Sequence, residues 1–318
     1  MRAVIVREFG GPEVLELTEA PEPSARPGQV LIRPRYVSVN FADVKARRGG
    51  HHTTGTPPFI PGLDVAGEVV AVGEGVTGLA PGELVAAATD GGAYAEVVTA
   101  RAELCFPLTR GADLRKAAGV VVLMTAYNVV LGKGHLQEGE SVLVHGAAGG
   151  VGSVVLQLAR RSGAGRIVGV VGSEEKVAVA LENGAHEVAV GRGPEVLRSL
   201  SGEFDLILDP VAGEGLAAEL ELLAPFGRIV VYGNADGHGT VSSGPLHSGN
   251  RTVIGYSSGH YRKHRPDEVR GAAAQMFRLL DAGEIVVPIG RTYPLADAAQ
   301  AHRHLESRSS TGKLLLEP

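Results

Sequence analysis

From Ser141 onward the chain alternates between two hydrophobic periodicities. Short apolar runs at 141–145, 166–171, 186–190, 204–208, 227–233 and 252–257 are separated by stretches near 150–162, 174–183, 194–200 and 214–223, where apolar residues recur at helical spacing. Strand then helix, repeated, predicts a parallel sheet covered on both faces. The first hundred residues have another texture. Runs such as Ala3–Val6, Val30–Pro34, Gly67–Val72, Leu84–Ala88 and Ala93–Val98 are separated by turn clusters at Pro21–Pro27, Pro57–Gly62 and Pro81–Gly82, which predicts a β-rich domain. Beyond residue 265 the pattern predicts a helix (267–282), a strand (284–289), a helix (296–306) and a last strand (313–316), a tail able to return to the first domain. There is no internal repeat and no low-complexity segment.

One junction carries chemistry. Val142, Leu143 and Val144 form a buried strand that runs directly into Gly146-Ala-Ala-Gly-Gly-Val-Gly152, and Val151, Val154, Val155, Leu158 and Ala159 then mark one face of a helix. Strand, glycine turn and helix in this order form a dinucleotide site. Gly149 lets phosphates approach the backbone, Gly152 lets the helix lie close to the strand, and the helix start, with Gly150 and Val151, offers N–H groups and a positive dipole end to the anion. Ala147 replaces the first glycine of the usual pattern.

At 318 residues the chain is long enough for two domains. With 44% hydrophobic residues, 20% charged residues and a net charge of -5, it has the composition of an ordinary soluble protein, with no general reason for nucleic-acid or membrane binding. Its start is too short and too charged for a signal peptide, and no apolar run reaches membrane-spanning length. The single cysteine, Cys105, excludes an internal disulfide and a cysteine-rich zinc lobe. A cytoplasmic enzyme is expected.

Five segments in order resemble a known family: Ser38-Val-Asn-Phe-Ala-Asp-Val, Pro61-Gly-Leu-Asp-Val-Ala-Gly-Glu-Val-Val-Ala-Val-Gly, the Gly146–Gly152 turn, Val231-Tyr-Gly-Asn, and Glu306-Ser-Arg-Ser-Ser-Thr-Gly-Lys-Leu-Leu-Leu. Over its whole length the chain resembles the zinc-independent, zeta-crystallin-like quinone oxidoreductases of the medium-chain dehydrogenase/reductase superfamily. The resemblance implies an α/β protein: a GroES-like β-rich catalytic domain (1–119 and 263–318) with an inserted Rossmann domain, a doubly wound parallel sheet (120–262). It also implies a cleft between them where the nicotinamide meets its substrate.

Alcohol dehydrogenases similar to this chain hold a catalytic zinc with cysteine and histidine. Here Asn40 stands at the first cysteine position and Leu63 at the histidine position, and leucine cannot ligate. The eleven histidines are expected to be solvated or capping. His302 and His304 point to nearly opposite sides of a predicted helix, and His51 and His52 lie in a polar loop. No metal is expected.

Enzymes that use NAD place an acid about twenty residues beyond the glycine turn to bind the ribose 2'-hydroxyl. Gly172 and Ser173 occupy that region, where Ser173 can donate a hydrogen bond and Lys176 can supply charge to a 2'-phosphate. The resemblance adds Lys176 and Arg308 as phosphate contacts, with Arg192 standing in for a family tyrosine missing at Gly191. NADPH is therefore expected, although Ser173 has a second reading as a helix cap with Lys176 solvated. Gly233 and Asn234, in the Val231-Tyr-Gly-Asn segment, are further candidate cofactor contacts.

Hydride transfer needs positioning and stabilisation of a developing oxyanion. By resemblance Asn40 is the leading donor near nicotinamide and substrate, while Thr125 and Tyr127 line the cofactor side. Related reductases carry tyrosines where this chain has Lys45 and His51, which leaves Lys45, His51 or solvent as the proton source. Asp43 reads as a local hydrogen-bond acceptor. The basic run Gly259-His-Tyr-Arg-Lys-His-Arg-Pro is expected to be a solvated loop, with binding of an acidic substrate as the alternative. The expected activity is NADPH-dependent reduction of a small-molecule quinone or α,β-unsaturated carbonyl. An enoyl-thioester reductase of a biosynthetic pathway and an NADPH-binding regulatory protein with little turnover are the alternatives. A homodimer through strand 252–257 is expected, because that edge would otherwise lie open.

Overall fold

The β-rich ends of the chain pair with each other. The structure, a computed structural model, describes residues 1–50 and 56–318. It divides into two compact units, Met1–Val121 with Gly259–Pro318, and Val122–Ser258.

In the first unit the long strand Gln29–Val39 lies between Asp64–Val72 and the C-terminal strand Lys313–Glu317, antiparallel to both. The sheet continues through Leu84–Ala88 to Cys105–Pro107 on one side and through Ile289–Pro294 on the other, with Val98–Arg101 also paired to Gln29–Val39. Alternate residues of these strands, among them Val30, Ile32, Val37, Val65, Val69, Val85, Leu314 and Leu316, point into one buried core. The register sets Leu314 opposite Val39 and Val65 opposite Val37. The C-terminal end of one strand and the starts of its two neighbours therefore meet at Asn40, Asp64 and Lys313.

The second unit is a six-stranded parallel sheet in the order Glu187–Val190, Arg166–Val171, Ser141–His145, Phe204–Asp209, Leu223–Val231, Thr252–Gly255. The order reverses at Ser141–His145. That reversal is the topological switch point, where open α/β sheets bind ligands at the strands' carboxyl ends. The central strands Arg166–Val171, Ser141–His145 and Phe204–Asp209 are apolar on both faces because helices such as Gly150–Arg161 and Gly215–Leu222 flank the sheet.

Two expectations need correction. The strand expected at 284–289 begins only at Ile289 and runs to Pro294, because Gly283 and Glu284 close the helix Pro266–Asp281 and pull 282–285 into its C-terminal turn. The basic run 259–265 is not a loop: it forms the helix Ser258–His264, and its Arg262 is buried. Arg262 donates from Nη1 to the Thr89 carbonyl (2.7 Å) and accepts at its own carbonyl from Arg101 (2.7 Å), so this charge is structural. Lys263, His264 and Arg265 are exposed.

Phe226, at an irregularity in the strand Leu223–Val231, has a left-handed backbone (φ 65) and is 76% exposed. A side chain with Cβ costs roughly 1–2 kcal/mol there, while glycine loses about 0.4–1 kcal/mol through its freer unfolded chain. Phe226→Gly is expected to raise the unfolding temperature by about 2 °C, measured by calorimetry. An unchanged or lower temperature would show that the ring makes up the difference by packing.

Candidate functional site

The glycine turn is built as the sequence requires. Gly149 is extended (φ -83, ψ 176) and caps the helix Gly150–Arg161, and its N–H donates to the Gly146 carbonyl at 2.9 Å. The N–H groups of Gly150 and Val151 belong to the first helical turn, which has no intrahelical acceptors of its own. At Gly152 a Cβ would stand 2.2 Å from the Gly146 oxygen and 2.9 Å from the Ala147 Cα, so only glycine allows this helix to approach the strand. Gly233 follows the strand Leu223–Val231 under the same constraint, since a Cβ there would stand 2.3 Å from the Pro210 oxygen. The Pro210 turn is fixed by Asp209, which accepts from the N–H groups of Val211 (2.6 Å) and Ala212 (2.9 Å). Burial and the charge of Glu219 push the Asp209 carboxyl up to about 6. Asn234 is half-buried beside Gly233, and Thr125 is buried in the helix Val120–Tyr127.

At the end of the strand Arg166–Val171 there is no acid. The guanidinium of Arg192 lies over Gly172, with Nε and Nη2 each 2.9 Å from where a Cβ would be. Lys176, half-buried, has its pKa lowered first by burial and then by the charge of Arg192. Two cations are thus held close enough to repel each other, a field suited to a phosphate dianion. Ser173 precedes the turn Glu174–Lys176 in extended conformation and its side chain makes no cap bond, so the capping role does not apply. Arg308 is exposed, with a left-handed backbone (φ 57) after the helix Ala298–Glu306.

In the first unit Asn40 caps the helix Phe41–Arg47. The residue is 8% exposed and its side chain is held at both ends: Oδ1 accepts from the Lys313 ammonium at 2.6 Å, and Nδ2 donates to Asp64 Oδ1 at 2.7 Å. Lys313 also donates to the Val39 carbonyl (2.8 Å), and Asp64 Oδ2 accepts from the Val121 N–H (2.9 Å). Lys45 lies on the same helix with Nζ 5.7 Å from the Phe41 ring centroid, and burial lowers its pKa. His51 lies outside the described residues.

Asp43 closes the helix start by accepting the Asn40 N–H (2.8 Å) and the Tyr94 hydroxyl (3.3 Å). Tyr94 is 3.0 Å from His302 Nε2. His302, expected to be solvated, is fully buried, and burial pulls its pKa down to about 3, so it is neutral. The helix face carrying it packs against the first unit's core, which periodicity around a single histidine does not disclose.

Burial raises the Asp43 pKa to about 7. The folded protein therefore keeps a proton that the unfolded chain releases near pH 4, and stability is lost as pH rises through about 7. Asp43→Asn keeps the acceptor oxygen without the ionisation. The fall in unfolding temperature between pH 5 and pH 8 is expected to be smaller in Asp43→Asn than in the parent, and equal falls would contradict this.

Asp64, Lys313, Arg262 and the buried pair His145–Glu219 (3.0 Å) are buried ionisable groups that patterning missed. Only Thr-Gly-Lys313 and Pro-Gly-Leu-Asp64 hinted at the first two. At His145 burial lowers the pKa, but the Glu219 carboxylate 3.0 Å away outweighs it and the net shift is upward.

Residues 26–110 match the alcohol dehydrogenase GroES-like domain, and 183–316 match a family described as zinc-binding dehydrogenase. The positions that would hold zinc do not suit it: Leu63 has no donor atom, and the Asn40 oxygen already faces an ammonium that would repel a metal cation. Human quinone oxidoreductase is 34% identical over 327 residues, covering 99% of this chain and 97% of its own. A mycobacterial structure complexed with NADPH matches with a TM-score of 0.92 at 32% identity, covering 100% of both chains. Escherichia coli quinone oxidoreductase complexed with NADPH matches with a TM-score of 0.90 at 29% identity, again over 100% of both. The chain therefore belongs to the quinone oxidoreductases of the medium-chain dehydrogenase/reductase superfamily and is an oxidoreductase.

Proposed function

We propose that this protein is an NADPH-dependent reductase of quinones and α,β-unsaturated carbonyls that works without zinc. The observation that carries this reading is the Asn40 side chain. Its oxygen and one N–H are committed to Lys313 and Asp64, which leaves the second N–H as a donor at a slightly exposed position.

The glycine turn, Gly233, Ser173, Lys176 and Arg192 are the residues that would hold NADPH. When bound, NADPH supplies a hydride to a quinone or to the β-carbon of an enone. The acceptor oxygen then carries developing negative charge, and the remaining Asn40 N–H donates to it. A quinone or enone is already electrophilic, so this modest stabilisation suffices, whereas an alcohol would need a Lewis acid to form its alkoxide. The α-proton comes from Lys45, His51 or water, all of which exchange with solvent. Thr252–Gly255 is the edge of the six-stranded sheet, and the reading includes a homodimer formed by pairing this edge with its twin.

The reaction is tested with NADPH deuterated at the transferred position. The label is expected on the β-carbon of an enone product, and in D2O with unlabelled NADPH it is expected on the α-carbon. Label lost to solvent, or simple alcohols turning over faster than enones and quinones, would overturn the reading.

Among the described residues no helix is long and apolar enough to cross a membrane.

A further inference from the structure

An asparagine amide is nearly symmetric in shape, so packing alone does not decide which end is oxygen and which is NH2. Here the neighbours decide by charge. Lys313 has only donors and Asp64, when ionised, only acceptors, and they flank opposite ends of the same side chain at 2.6 and 2.7 Å. Lys313 and Asp64 are themselves buried, and each has one further backbone partner that fixes it, the Val39 carbonyl and the Val121 N–H. These three residues come from the ends of three adjacent strands and lie up to 273 positions apart in the chain.

We infer that Lys313 and Asp64 are positioning residues, whose opposite charges lock the Asn40 amide in the one flip that presents an N–H to the substrate oxygen. The inference rests on the reading of Asn40 given above. Removing the ammonium leaves Oδ1 without its charged donor, and the amide can then rotate and turn a lone pair toward a developing oxyanion, which repels it. A merely structural Lys313 would hold the strand ends together, and its loss would cost folded protein without altering each folded molecule's turnover.

The experiment is a double-mutant cycle. Lys313→Met is expected to lower kcat per folded molecule by about tenfold or more while leaving KM for NADPH within about twofold. In an Asn40→Ala background the same substitution is expected to change kcat by less than about twofold, because the group it positions is gone. Lys313→Arg, which keeps a charged donor, is expected to recover part of the loss. A second readout needs no turnover. The chain has five asparagines, so selective 15N labelling resolves five side-chain amide pairs. The pair that disappears in Asn40→Ala is expected to shift in Lys313→Met while the other four stay in place.

If Lys313→Met does not fold, Asp64→Asn completes the same cycle from the other end of the amide. Equal losses in both backgrounds, or an Asn40 resonance that ignores both substitutions, overturn the inference. An Asn40→Ala protein with undiminished kcat overturns the reading of Asn40 itself, which separates the two failures.

Discussion

Alanine at Gly152 is expected to reduce NADPH affinity more than a hundredfold and to lower the unfolding temperature by several degrees. The added methyl would sit 2.2 Å from the Gly146 oxygen, 2.8 Å from its carbonyl carbon and 2.9 Å from the Ala147 Cα. All three are backbone atoms, so no flexible side chain can yield. The helix must retreat from the turn, or the turn must open. Overpacking of this kind costs roughly 1–3 kcal/mol, and alanine's better helix propensity returns only about 1 kcal/mol. The larger effect falls on binding, because the shifted N–H groups no longer converge on a pyrophosphate. Gly271 supplies the control: it lies in the helix Pro266–Asp281 with nothing within 4 Å of a Cβ, so Gly271→Ala is expected to stabilise by about 0.5–1 kcal/mol and leave binding unchanged. Fluorescence titration with NADPH and thermal unfolding read both. Normal affinity in Gly152→Ala would show that the pyrophosphate does not rest on this turn.

Lys176→Ala and Arg192→Ala are each expected to weaken NADPH binding by about ten- to a hundredfold and to leave NADH binding within about twofold. A charge-assisted contact contributes roughly 1.5–3 kcal/mol, which corresponds to that range. In the free protein burial lowers the Lys176 pKa and the charge of Arg192 lowers it further, so the two cations repel each other. A 2'-phosphate relieves that repulsion, so the two substitutions should not add: after the first, the second cation has less charge to balance. Titrating both variants and the double variant with NADPH and NADH tests this. Equal losses for both cofactors would assign the pair to the fold.

The two domain textures, the parallel strands of the second unit and the glycine turn were legible in the sequence because each rests on local rules. A two- or 3.6-residue period follows from backbone geometry, and a glycine turn between strand and helix follows from sterics within a dozen residues. The absence of an acid at positions 172 and 173 was legible for the same reason, and so was Lys176 as a candidate. Position 192 was legible only as a basic residue beside a missing tyrosine. That its guanidinium lies across Gly172 depends on the parallel pairing of 187–190 with 168–171, a contact between segments about twenty residues apart.

Burial of polar and charged groups was not legible. Arg262 sat in a basic run that reads as solvated, and His302 sat on an amphipathic helix whose buried face patterning cannot assign to a particular histidine; both are inside because distant carbonyls and a tyrosine hydroxyl receive them. Asn40 was visible as a residue type, but its chemistry was not. By itself the sequence determined the elements, their glycine-dependent junction and the charges available, since these depend on neighbours along the chain. Only the tertiary structure decided that Lys313 and Asp64 meet at Asn40, because that depends on strand register across 273 residues, and a buried charge is stable only where a distant partner meets it.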